Sequence, residues 1–146
     1  MTLDPFSLGG DEGELLTFGE VRILVRASAE STGGAFSLVE EVPPMVDTPL
    51  HVHSRDDELF YILEGEHVIQ VGEREFRVGP GGMVFAPRGV PHAQRRVEPG
   101  VGRLLALTVP GGLDGFFREL AAADDAGTLG PDAYAAASDK HGITWL

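Results

Sequence analysis

From Leu50 onward, glycine and proline interrupt the chain at spacings of roughly ten residues, which leaves room for short strands and none for long helices. The spacing predicts strands over 50–53, 58–63, 67–71 and 75–78, with turns at Glu64-Gly65 and Gly72-Glu73. After the break at Pro80-Gly81-Gly82, Met83 to Ala86 reads as another strand, and Pro87 to Pro91 as a rigid turn. His92 to Val97 and Arg103 to Val109 complete the series. Many short strands at even spacing are the pattern of an all-β sandwich or barrel.

The flanks fit the same plan. Val21-Arg22-Ile23-Leu24-Val25-Arg26 alternates apolar and basic positions as a half-buried strand does, and Phe36 to Val42 reads as its neighbour. Pro43 to Pro49 keeps the chain extended before the first histidines. Beyond Pro110-Gly111-Gly112 the period changes from two to about 3.6, and Leu113, Phe116, Phe117 and Leu120 form the stripe of a short helix. The tail from Thr128 to Leu146 suits a second short helix, packed over the barrel or across a dimer seam. The expected division is an N-terminal arm over 1–18, a barrel over 19–110 and a C-terminal helical extension over 111–146. The arm is acidic and glycine-punctuated, suited to a loose segment or an added edge strand.

Charge narrows the partners. The 23 acidic and 11 basic residues give a net charge of -12, which repels nucleic-acid phosphates and anionic membranes, so a small molecule is the expected partner. No apolar run approaches the ~18 residues that a membrane span needs. Residues 1–16 show neither a basic start nor an apolar run like those of a secretory signal, so a cytoplasmic protein is expected. With no cysteine, a metal site has only nitrogen and oxygen ligands to use.

His51 and His53, two apart on one strand, point to the same face and can grip one ion together. Glu58 opens the next strand after a four-residue loop able to fold its carboxylate back beside them. His92 follows the Pro87 to Pro91 turn, which can present another imidazole from a separate strand. A lone histidine is more often a core or surface residue than a ligand; here the spacing argues for the metal.

That spacing resembles the cupin family. His51-x-His53, four residues, Glu58, six residues and Gly65 is similar to the first cupin motif. Gly81, five residues and Pro87-x-Gly89-x-x-His92 is similar to the second, with fifteen residues between the two. The resemblance covers about residues 36–120 and implies a jelly-roll barrel with a short C-terminal helix. It implies one divalent transition metal on His51, His53, Glu58 and His92. Zn, Ni and Fe fit such ligands, as do Mn and Cu. Two positions depart from the pattern: Met45 stands where the first motif has glycine, and Arg96 where the second has asparagine. Cupins often dimerise through sheet faces, so the resemblance leaves room for a homodimer.

Four further residues are candidates for the chemistry. His67 shares strand parity with Ile69 and Val71, which would make it a fourth inward histidine. The resemblance to small cupin-fold polyketide cyclases implies that it could join the metal shell or displace Glu58. Gln94 has the parity of His92, at a position where many cupins carry an aromatic residue, and would place an amide in the cavity. Asp56 could act as a base at the rim, or be a solvated turn residue. Arg88 in the second-motif turn could attract an enolate or phenolate. Phe60, Ile62, Phe76, Val78, Met83 and Phe85 would supply apolar walls. The leading expectation is a metal-assisted aldol cyclisation of a polyketide-like chain. A quercetinase-like ring-opening dioxygenase is the alternative, and a non-catalytic binding cupin the second alternative.

Overall fold

The computed structural model describes residues 2–146, so Met1 of the expected arm lies outside the described residues. The chain forms eleven strands and two helices among those residues. β1 (Glu14–Phe18), β2 (Val21–Ala27) and β3 (Ser37–Glu41) precede β4 (Thr48–His53), β5 (Asp57–Glu64) and β6 (His67–Val71). β7 (Arg74–Val78), β8 (Met83–Ala86), β9 (His92–Arg96) and β10 (Arg103–Val109) follow. The chain ends in α1 (Leu113–Asp125), α2 (Pro131–His141) and β11 (Ile143–Trp145).

The strands pair antiparallel in two sheets, ordered β1-β2-β3-β10-β5-β8 and β11-β4-β9-β6-β7. The apolar alternation sets which face turns inward. In β5, Glu58, Phe60 and Ile62 are buried while Tyr61 is exposed; in β10, Leu104, Ala106 and Thr108 are buried. Met83 and Phe85, expected in the cavity wall, face outward instead, because Val84 and Ala86 take the inward positions of β8.

The last residues of the expected arm are β1, an edge strand on β2, and Arg26 ties the preceding loop by donating to the carbonyls of Gly9 and Glu12. The C-terminal part is more elaborate than one helix. α1 buries Leu113, Phe116 and Leu120, and Asp114 anchors its start by accepting from the Ala29 N–H, the Ser37 hydroxyl and the Arg118 guanidinium. α2 begins at Pro131, whose fixed φ suits a first helical position, and stops at Gly142 in the left-handed region (φ 70°). A Cβ there would stand 2.6 Å from Ser54 Oγ, so only glycine lets the chain turn back. It returns as β11 along β4, with Trp145 opposite His51.

Candidate metal centre and its cavity

Strand pairing brings the motif residues together. His51 of β4 lies directly opposite His92 of β9, their ring centroids 4.3 Å apart, and His53 stands 5.1 Å from each. Glu58 reaches across from the other sheet. His51, His53, Glu58 and His92 each offer one ligand atom, all within 4.8 Å of one another, and none is more than 6% exposed.

The hydrogen bonds aim the rings. His51 Nδ1 donates to the Pro49 carbonyl (2.7 Å) and His53 Nδ1 to Asp56 Oδ1 (3.0 Å), which leaves each Nε2 as the free lone pair. Glu58 Oε2 lies 3.0 Å from His92 Nε2 and 3.4 Å from His53 Nε2. Three imidazoles and a carboxylate converging in a buried place fit one divalent metal ion.

Electrostatics points the same way. Burial, with His92 beside it, pushes His51 down to about 4, so its ring is neutral and ready to coordinate at physiological pH. Burial also disfavours charge on His53, but the Asp56 hydrogen bond and the Glu58 charge outweigh it and raise its pKa. Burial alone would raise the Glu58 carboxyl; the His92 hydrogen bond and the nearby imidazoles hold it below its usual value.

The cluster opens onto a cavity of about 610 Å³ walled by Phe60, Val39, Ile23, Phe116 and Leu120. The C-terminal helices thus complete the pocket. Trp145 stacks obliquely on His51, centroids 4.9 Å apart, and its indole N–H donates to Ser138 Oγ.

The other expected residues divide. Gln94 lines the cavity beside Thr48, and its amide donates to Glu41. Asp56 is buried behind His53, where it orients the ring rather than standing at the rim. Arg88 lies outside, half-exposed, clasping Asp57 at 3.1 Å. His67 is inward and fully buried, as parity predicts, but at the other end of the barrel: it is opposite Arg96, whereas Val71 is opposite His92. Its Nε2 donates to the Glu64 carbonyl (3.0 Å), and it is too far along β6 to join His51, His53 and His92. Arg96 belongs to that far end too, against Asp47. Glu41 and Trp145 are among the cavity residues that the sequence reading does not name. Glu41 ends β3 with the parity of Val39, a signal that was available; Trp145 depends on the return of the tail, which carried none.

Residues 38–108 match the cupin domain family. The chain has the fold of the cupins. It is 29% identical over 117 residues to quercetin 2,3-dioxygenase of Bacillus subtilis, covering 80% of this chain and 34% of that protein. An uncharacterized protein of Methanocaldococcus jannaschii is 35% identical over 57 residues, 38% of this chain and 46% of that one. The chain thus spans about a third and under half of the lengths of these two relatives. Among solved structures, KdgF from a Halomonas species superposes with a TM-score of 0.64 at 17% identity, over 77% of this chain and 99% of that one. Streptomyces PAC13 bound to uridine gives 0.56 at 12% identity, over 74% and 84%. At these identities the likeness is one of fold. No helix of the described residues is long and apolar enough to cross a membrane.

Proposed function

We propose that this cupin is a metal-dependent enzyme acting on a planar, oxygen-rich molecule of the polyphenol or polyketide type, by ring-opening dioxygenation. The observation that carries the reading is the buried cluster of three imidazoles and one carboxylate at the wall of a largely apolar cavity. A divalent ion there would supply Lewis acidity and bring substrate and O2 together. The protein's own parts do the rest. Phe60 and the α1 aromatics wall off water, Asp56 holds the His53 tautomer, and Glu58 is placed to take a proton from a hydroxyl brought beside it.

Kinship with a quercetin dioxygenase over 80% of the chain supports ring opening over aldol cyclisation. The resemblance to polyketide cyclases places His67 at the metal, but His67 does not line the cavity. Oxygen uptake by the metal-loaded protein with flavonols tests the choice. Uptake matching flavonol loss is expected. A substrate consumed with no uptake would overturn dioxygenation in favour of cyclisation, and ligand bound without turnover would favour a binding protein.

A further inference from the structure

The cavity has a second polar pole. Glu41 closes β3 with its carboxylate in the cavity, where both oxygens accept from Gln94 Nε2, at 2.8 and 2.6 Å. The same nitrogen donates to Thr48 Oγ1 at 3.1 Å. No cation stands within ion-pairing distance of Glu41 among the described residues, because Arg103 on the neighbouring strand is taken by Glu40. Gln94 is 6% exposed, and its Oε1 is buried without a partner. Burial, with Glu58 adding to it, pushes the Glu41 carboxyl up to about 7 even against the Gln94 hydrogen bond.

A tie between sheets would need neither an acid without a counterion nor an amide oxygen without a donor. The single Gln94 nitrogen leaves lone pairs on both Glu41 oxygens unused. Gln94 lies two residues along β9 from His92 on the same face, so the poles are separated by about 7 Å of strand. That is the scale of one fused ring system, and the wall between them is apolar.

We propose that Glu41, positioned by Gln94 and Thr48, is a specificity-determining residue that accepts a hydrogen bond from a hydroxyl remote from the metal-chelating oxygens of the substrate. The inference rests on the polyphenol reading and sharpens it: the ligand is a hydroxylated one, and a carboxylate at that position is repelled.

The test uses the full chain loaded with redox-inert zinc, so that binding is read without turnover. The single tryptophan, Trp145, against His51, is the reporter through its quenching. The probes are 3-hydroxyflavone and its 3,7- and 3,4′-dihydroxy relatives. Wild type is expected to bind at least one dihydroxy probe about tenfold more tightly than the parent. In Glu41→Leu, which removes the acceptor, that ratio falls to about one; Gln94→Leu, an independent variant, lowers it as well. Equal affinities in wild type, or a ratio unchanged in both variants, would overturn the inference and leave the polyphenol reading standing. Failure of every flavonol to bind the zinc protein would overturn both.

Discussion

Strands β6 and β9 lie side by side, and each buries an inward histidine, but the two rings lead different lives. His92 opens β9 opposite Val71, beside His51 and within 3.0 Å of Glu58. His67 opens β6 opposite Arg96, at the other end of the same pair of strands. Four residues of strand, about 13 Å, separate the two levels. At the His67 end Ile62, Ile69 and Leu104 are fully buried and close the barrel, and the histidine's Nε2 is spent on the Glu64 carbonyl. At the His92 end the interior is hollow, and His51 and His53 turn their free Nε2 lone pairs inward. Burial makes a histidine interior; only convergence from neighbouring strands makes it a ligand.

Truncating the histidines at both ends separates their roles. His51→Ala and His92→Ala should each abolish stoichiometric metal, read by elemental analysis of purified protein. His67→Ala should keep the metal and instead lose about 3 kcal/mol of stability, as a buried ring leaves a void. A metal-free His67→Ala protein with an unchanged melting temperature would reverse the assignment.

A second test stays at the closed end. Gly102 holds φ +147°, and a Cβ there would stand 2.7 Å from His67 Cε1 and 3.1 Å from Met45 Sδ. Gly102→Ala should cost about 2 kcal/mol in denaturant unfolding with metal content intact. Adding His67→Ala should return part of that loss by removing the clash. Additive costs in the double variant would show that the ring and the glycine do not press on each other.

These two ends also explain what could be read in advance. Alternation along 67, 69 and 71 announces that His67 faces inward, and the motif spacing groups His51, His53, Glu58 and His92. Neither says at which height of the barrel a side chain sits, because height depends on the register between strands distant in sequence. Glu41 shows the same gap. Its parity with Val39 was visible, but its meeting with Gln94 requires β3 and β9, in different sheets, to face each other across the interior. The turns, the strand order of the hairpins and the first helix are local and were legible. β11 was not, since three residues pairing with β4 leave no periodic trace.

The open end can be sharpened through Asp56. Its carboxylate orients His53 but also helps keep a proton on it, and a protonated ring cannot coordinate. Metal affinity should therefore fall as pH drops through the raised His53 pKa. Asp56→Asn should weaken metal binding about 10- to 100-fold at pH 8 through lost orientation. The deficit should shrink at pH 6, where the variant meets less competition from protons. Titration with a competing chelator at both pH values checks this. An equal deficit at the two would mean that Asp56 acts by position alone.

The smallest effect belongs to Arg88, within the motif turn yet outside both ends. Its guanidinium is half-exposed and holds Asp57, the residue just before Glu58. Solvent screens such a pair, so its loss should barely move the melting temperature. The backbone N–H of residue 88 still donates to Asp57 Oδ1 (2.9 Å) whatever side chain stands there, so the start of β5 keeps one of its ties. Arg88→Ala should accordingly retain full metal and bind 3-hydroxyflavone as wild type does. If it instead weakened flavonol binding while metal content held, the guanidinium would be reaching the ligand's anionic oxygen. The turn that presents His92 would then belong to the substrate as well as to the metal.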